Sequence, residues 1–348
     1  MRSVMVQIPN TPPSAAPAPH SVPTSADVAR LAGVSRATVS YVLNNTSAVR
    51  ISEPTRRRVH EAARELGYVP HAAARSLRAG HSRMVLMPAP AIPAGPLYSR
   101  FLAELQTALG RLDYTVVQYG TVGLQGDEAA RAWAELRPAA VLVPGVGLGP
   151  RGVAVLRRSG ARAVVTLGPE RVEGAHALLM DHEAVGHCAG VRLHARGRRR
   201  IGVIVPEEPG LEMFSRPRLA GVRQALRGTD ATVTALPLAY TEQAAAALVA
   251  GWRESGLDAV FAYNDEYAML LMRALQDEGV RIPEDVAVVG ADDLMLGRLL
   301  RPRLSTVRVE LPSGRELAEL VDRAVREPGG EPEVRRVLGA SLVPRESG

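Results

Sequence analysis

From Met84 onward, apolar runs of four to six residues alternate with stretches of helical periodicity, and this alternation narrows the possible folds more than any other feature. The runs are MVLMPA, TVVQY, AAVLVP, AVVTL, ALLM, IGVIVP, AVFAY and VAVVGA. Between them lie RFLAELQTALGRL, EAARAWAELR, EAVGHCAGVRLHA, RLAGVRQAL and EYAMLLMRALQDEG. A strand that is apolar throughout must be covered on both faces, and strands joined through helices run parallel. The runs suffice for two such sheets, so two α/β subdomains are predicted after residue 83. No solenoid repeat interrupts them.

The chain before Met84 reads differently. Thr24 and Asp27 make a T-x-x-D capping box, Val28, Leu31 and Ala32 line one apolar face, and Gly33 ends the helix. Ser35 caps a second helix with Val39, Val42 and Leu43 inward. A third begins at Ser52, accepts Pro54 in its first turn, buries Val59, Ala62, Ala63 and Leu66, and stops at Gly67. Two helices joined by a three-residue turn centred on glycine have the spacing of a helix-turn-helix. Gly33 permits the turn, and Val34 and Val39 lock the pair. Ser35, Arg36, Ala37, Thr38 and Tyr41 then remain on a face short enough for a major groove. Hydroxyls and helix N-terminal amides there can hold phosphates, and Arg36 can meet a guanine edge with two hydrogen bonds. A small helical bundle with a solvated polar face fits the spacing as well.

Charge favours the first of these readings. Residues 24–83 hold ten arginines against Asp27, Glu53, Glu61 and Glu65, an excess that equals the formal +6 of the whole chain. A basic segment on a neutral body is the footprint of a polyanion-binding module. All 42 basic residues are arginine, a chain-wide bias from which no function follows. Beyond the third helix, PHAAARSLRAG is too short to stand alone as a helix. Two copies in a dimer could press into a minor groove, with Leu77 wedged between base steps and Arg75 and Arg78 beside it. A solvated linker is the alternative.

Several classes are set aside. The chain is 46% hydrophobic and 22% charged, with no apolar run that spans a bilayer. Residues 1–23 have five prolines beyond residue 10 and lack the apolar core of a secretory signal, so a disordered tail or a mis-assigned start is expected. One cysteine, Cys188, excludes an internal disulfide framework and a thiolate-rich zinc site, and a cytosolic setting is the simplest. GVGLG at 145–149 lacks the full G-x-G-x-x-G and reads as a strand-to-loop turn. Asp181, His182, His187, Cys188 and His194 do not converge as a metal shell, because His182 falls off the face shared by His187 and His194. Neither G-x-S-x-G nor H-E-x-x-H occurs. The expectation is a non-enzyme with no cofactor and no metal.

From Thr24 to Arg345 the chain resembles LacI-type (lactose and purine repressor family) transcriptional regulators. The shared motifs are DVARLAGVSRATVSYVLNN, ISEPTRRRVHEAARELGYVPHAAARSLRAG, RGRRRIGVI, RLAG, NDEYAM, ALQDEGVRIPEDVAVVGADD and RPRLSTVR, in the family's order. The resemblance implies an N-terminal all-α helix-turn-helix headpiece. It also implies an α/β periplasmic-binding-protein-like core of two Rossmann-like subdomains, linked by three crossover strands. The expected boundaries are a tail at 1–23, a DNA-binding domain at 24–69, a hinge helix and linker at 70–82, and an effector-binding and dimerisation core at 83–348. Within the core, the N-subdomain takes about 83–181 and 306–330, and the C-subdomain about 182–305 and 331–348.

The function implied is sequence-specific regulation, with repression the expected output, under control of a small-molecule effector such as a sugar. The partners implied are double-stranded near-palindromic operator DNA, the effector and a second copy of the chain, with no membrane. RVLGASLVPRESG carries no leucine heptad, which favours a dimer over a coiled-coil tetramer. Arg36, Ala37 and Tyr41 fall at base-reading positions, and Leu77 at the intercalating one. Ser35, Thr38, Asn44, His71, Arg75 and Arg78 complete the implied DNA contacts. Tyr41 departs from the arginine common there and cannot make a two-pronged guanine contact. For the effector, the resemblance points to Arg218, Asp292, Asn264 and Tyr240 from one subdomain and Leu97, Tyr98 and Asp181 from the other. Ligands settle at the C-terminal ends of parallel strands, and an arginine with acids at one mouth suits a polyol. His182 replaces a common asparagine. Glu212 falls where some purine-type members have arginine, which counts against that effector. A stand-alone sugar-binding protein would match the core alone, leaving the basic headpiece unexplained.

Overall fold

The Thr24 capping box forms as its residues dictate: the hydroxyl and backbone N–H of Thr24 donate to Asp27 Oδ2 at 2.7 and 2.9 Å. It opens α1 (Ser25–Ala32) in a computed structural model that describes residues 22–43, 49–69, 82–89, 95–120, 123–145 and 147–348. The chain divides into two units, Met1–Gly80 and His81–Gly348.

In the first unit, Gly33 takes the left-handed conformation (φ 66°) that ends α1. The chain turns there into α2 (Arg36–Leu43), and α3 (Glu53–Glu65) follows with Pro54 in its first turn. Val28, Ala29, Ala32, Val39, Val42, Val59, Ala62 and Ala63 form the core. Leu31 is not part of it. Its side chain is 47% exposed, since Ala29 takes the inward position predicted for it. Leu43 and Leu66 pack only against the core's edge.

The second unit holds two six-stranded sheets. The first is built from β1 (Met84–Pro88), β2 (Thr115–Tyr119), β3 (Ala140–Pro144), β4 (Ala163–Gly168), β5 (His176–Leu179) and β11 (Val334–Arg336), in the order β11-β5-β4-β3-β1-β2, parallel throughout. Helices α4 (Pro96–Arg111), α5 (Gly126–Glu135) and α6 (Pro150–Arg158) connect its strands. The second sheet comprises β6 (Arg200–Pro206), β7 (Thr232–Leu238), β8 (Ala259–Phe261), β9 (Ala287–Ala291), β10 (Ser305–Glu310) and β12 (Gly339–Val343), in the order β12-β10-β9-β8-β6-β7. Only β12 runs antiparallel to its neighbour. Helices α7 (His182–Ala195), α8 (Glu212–Ala225), α9 (Glu242–Val249), α10 (Trp252–Ser255) and α11 (Asp265–Asp277) serve this sheet. Apolar residues fill both faces of each sheet, as all-apolar strands require.

The chain crosses between the sheets three times, after β5, after β10 and after β11. This revises the subdomain boundaries read from sequence. Residues 306–310 belong to the second sheet, where Thr306 and Val307 are buried and pair with β9 and the whole stretch pairs with β12, whereas the sequence reading gave them to the first. Residues 334–336 pair with β5 at the edge of the first sheet instead of joining the second. Between these strands, α12 (Gly314–Arg326) buries Leu317, Leu320 and Val321 against Leu105 and Leu109 of α4.

Helices α7 and α8 cross with their backbones in contact. A Cβ on Gly186 would overlap the Arg218 carbonyl oxygen, and one on Gly221 would overlap that of Glu183. This close approach fixes where Arg218 stands. Gly186→Ala is therefore expected to destabilise the protein by about 2–3 kcal/mol through overpacking. Gly110→Ala, within α4 with nothing inside 4 Å, is expected to stabilise it by up to about 1 kcal/mol. Urea unfolding of both variants checks the pair; equal effects would contradict the contact.

Candidate functional site

On the first unit, the second helix presents the face anticipated for DNA. Ser35, Arg36 and Ala37 are exposed, and Tyr41 is 37% exposed. Ser35 Oγ accepts the Thr38 N–H at 3.1 Å and lies 2.9 Å from Thr38 Oγ1, so both hydroxyls help to start the helix. Arg36, Ala37 and Tyr41 are the side chains left outward. Asn44, His71, Arg75, Leu77 and Arg78 lie outside the described residues.

In the second unit, four strand ends converge. The loops after β6, β7, β8 and β9 carry Glu208, Tyr240, Asn264 and Asp292, and α8 supplies Arg218. The Arg218 side chain is 6% exposed. Its guanidinium donates to the Tyr263 carbonyl, lies 4.8 Å from the centre of the Tyr263 ring and stands 3.7 Å from Asp292 Oδ1. Burial raises the Asp292 carboxyl, and Arg218 opposes that rise. Asp292 Oδ1 and Arg218 Nε are buried without a hydrogen-bond partner among the described residues. Tyr263, Tyr267 and Tyr240 continue outward as an aromatic series, with ring centres 5.5 and 5.0 Å apart. Tyr240 ends it, 49% exposed at the mouth. Glu208 braces it by accepting from the Tyr267 hydroxyl and, at 2.5 Å, from the Tyr240 N–H.

The other expected contacts divide. Asn264 caps α11, accepting the Tyr267 N–H at 3.0 Å, while its Nδ2 lies 3.4 Å from Glu266 Oε2. Glu266 itself is raised by burial and by Asp292, so Asn264 reaches the acidic side of the site. Asp181 caps α7 through the Ala184 N–H and pairs at 4.0 Å with Arg336; it is exposed, and nothing joins it to Arg218. From the first sheet's side, Tyr98 has a buried hydroxyl with no partner among the described residues, and Leu97 packs into the second sheet's core. A cavity of about 470 Å³, lined by Leu97, Arg100, Asp292, Asp293 and Arg308 among others, reaches neither Arg218 nor Tyr98. The open volume and the unmet hydrogen bonds meet only at Asp292.

Sequence reasoning missed four neighbours: Tyr263, Phe214, Ser215 and the role of His182. Ser215 stands three residues before Arg218 on one helix, a spacing that could have flagged it. Phe214 gives no sequence signal and His182 only its replacement of a common asparagine, because the helix crossing is what brings them together, with ring centres 5.0 Å apart. Glu212, at the start of α8, accepts the Gly210 N–H at 2.7 Å.

The turn bearing Asp292 is held from behind. Asp292 and Asp293 both have positive φ, 98° and 50°. The Asp293 carboxylate receives Arg308 at 2.8 Å, Arg298 at 3.3 Å and the half-buried Arg345. Burial would raise this carboxyl, yet the three arginines hold it below the usual range. Nearby, Asp265 is fully buried at the start of α11, accepting the Thr306 hydroxyl at 2.6 Å and the Leu294 N–H at 2.7 Å. Burial pushes its carboxyl up to about 7 against those bonds.

A helix-turn-helix unit joined to a two-lobed α/β core, with buried polar groups at its strand ends, defines a DNA-binding transcription regulator with a ligand cleft. The family model described as "Bacterial regulatory proteins, lacI family" matches residues 24–71, and "Periplasmic binding protein-like domain" matches 191–348. The HTH-type transcriptional regulator CelR of Thermobifida fusca is 33% identical, over 94% of this chain and 98% of its own. The HTH-type transcriptional repressor PurR of Vibrio atlanticus (strain LGP32) is 32% identical, over 82% of this chain and 86% of its own. Among solved structures, a CelR–cellobiose complex superposes with a TM-score of 0.63 at 29% identity, covering 94% of this chain and 100% of that one. The Lac repressor bound to ONPG in its repressed state gives 0.74 at 25% identity, with the same coverage. The chain belongs to the LacI family. The match over 24–71 counts against a stand-alone binding protein.

Asp265 gives the core a pH signature. Its proton is held to about pH 7 in the fold but is lost near 3.8, as from an ordinary aspartate, when unfolded. The stability it contributes is therefore complete below pH 3.8 and lost as pH rises through 7. Asp265→Asn should gain on the wild type between pH 4 and 8 in urea unfolding; parallel stability profiles would contradict this.

Proposed function

We propose that this chain is a cytoplasmic transcriptional repressor that binds near-palindromic operator DNA as a homodimer and changes its DNA affinity when a neutral, hydroxyl-rich metabolite occupies the cleft. The observation that carries the effector assignment is the buried Arg218–Asp292 pair, with Arg218 Nε, Asp292 Oδ1 and the Tyr98 hydroxyl left unpaired. Unmet buried polar groups cost about 1–3 kcal/mol each, which a ligand's hydroxyls would recover. The two charges cancel, so the ligand need carry none. Cellobiose, bound by the CelR relative, is the first sugar to test.

Family membership and the outward Arg36, Ala37 and Tyr41 support DNA reading, with Arg75, Leu77 and Arg78 as the proposed minor-groove contacts. Repression follows the relatives named repressors. Met295, Leu296 and Leu299, 74%, 57% and 63% exposed within one short segment, offer an apolar surface for self-association. No helix among the described residues is long and apolar enough to cross a membrane, in keeping with the proposed setting. The reading includes no catalysis. Ser215 and His182 lie near one helix crossing, but neither hydrogen-bonds the other, so they are not poised as nucleophile and base.

Selection of bound sequences from random DNA, with and without cellobiose, glucose and ribose, tests the proposal. Inverted repeats should be recovered, and one sugar should alter their yield. Arg36→Ala should cost about 1–3 kcal/mol of operator affinity while sparing non-specific binding. Arg218→Met should remove the sugar response and keep the DNA binding. Recovery of no inverted repeat would end the reading.

A further inference from the structure

Beside Arg218 stands a side chain whose polar atoms serve no evident structural purpose. His182 opens α7, is 6% exposed, and has both ring nitrogens buried with no hydrogen-bond partner among the described residues. The Phe214 ring meets it edge-on at 5.0 Å and 75°, and the Arg218 guanidinium is close enough to disfavour a charged imidazole. Burial, assisted by Arg218, pushes the imidazole down to about 3, so it is uncharged at any physiological pH. A neutral imidazole has one donor and one acceptor, and here both are unused. Ser215, beside Phe214 in the chain, repeats the pattern with a 1% exposed hydroxyl that also lacks a partner.

These side chains are brought together by the helix crossing that fixes Arg218. Gly186 and Gly221 let the backbones touch, and His182 lies one turn before Gly186 just as Ser215 lies one turn before Arg218. A histidine serving the fold would spend its nitrogens on the protein, as His176 does when its Nδ1 accepts the Glu333 N–H at 3.1 Å. His182 spends neither. A hydroxyl both donates and accepts, so it can meet whichever ring nitrogen it approaches in either tautomer; a carboxylate or a fully ionised phosphate only accepts and can meet only the protonated nitrogen.

We propose that His182, with Ser215, is a specificity-determining residue of the cleft that reads a hydroxyl of a neutral sugar and discriminates against its phosphorylated or carboxylated forms. This rests on the cleft being the effector site, and the test separates the two. Full-length wild type, His182→Phe, His182→Leu, His182→Asn and Arg218→Met are compared by thermal melting without ligand. Each is then titrated calorimetrically with cellobiose, glucose, ribose and glucose 6-phosphate. The Phe and Leu variants should melt at or above the wild-type temperature, because they remove two unsatisfied buried nitrogens. The same variants should lose at least tenfold in affinity for the sugar that binds the wild type, with Asn in between. Melting below the wild type in both Phe and Leu variants would make the imidazole structural and overturn the proposal. Unchanged sugar affinity in those variants, a wild type that binds none of the neutral sugars, or a preference for glucose 6-phosphate would overturn it too. Loss of binding in Arg218→Met alone defeats the His182 assignment but keeps the cleft; binding retained in Arg218→Met defeats the cleft itself.

Discussion

A guanidinium and a carboxylate 3.7 Å apart, both withdrawn from water, govern the architecture of the second unit. Desolvating such a pair costs several kcal/mol per ion, and attraction alone seldom offsets it. The fold offsets it locally. Arg218 gives a hydrogen bond to the Tyr263 carbonyl and rests over that residue's ring. Gly186 lets the Arg218 backbone approach α7 to a distance that no side chain would allow. Asp292 occupies a backbone region uncommon for residues other than glycine, and its neighbour Asp293 is clamped there by Arg298, Arg308 and Arg345. Those arginines come from the segment after β9, from β10 and from the C-terminal stretch, so the turn ties the cleft to a strand that leads to a crossing between subdomains.

That connection gives a ligand something to act upon. A ligand shifts a conformational equilibrium only through a difference in its affinity for the two states. In the proposed reading, groups left unpaired in both subdomains, Tyr98 beside the first sheet and Arg218, Asp292, His182 and Ser215 beside the second, would be satisfied together when the subdomains close on the same molecule. Stability at this site is thus partly withheld from the empty protein and restored on binding, the usual arrangement at functional centres.

Much of this was legible in the residues. Eight apolar runs announced eight strands, and the capping box at Thr24 and the turn at Gly33 located the first two helices. The sequence showed less where burial is one-sided. In β7 most of TVTALPL is exposed or half-buried, so no apolar run marks it. Only close inspection of STVRVE reveals β10, whose alternate outward residues are charged. Boundaries were misread for the same reason, since β10 and β11 exchange sheets through pairing partners remote in sequence. Arg218 and Asp292 could be named because motifs carry them. His182 was legible only as a replacement for a common asparagine, since its unpartnered nitrogens come from a crossing of two helices that no local pattern encodes. Asp181 and Asn264 are both engaged in helix capping.

In the proposed function the cleft and the DNA-reading face are coupled. Coupling is reciprocal, so the factor by which a sugar changes operator affinity must equal the factor by which operator changes sugar affinity. Fluorescence anisotropy of a selected inverted repeat, titrated with and without saturating sugar, gives the first factor. Calorimetric titration of the sugar into free and operator-bound protein gives the second. The account predicts two equal factors of about fivefold or more; a sugar that binds equally well on and off the operator would contradict it.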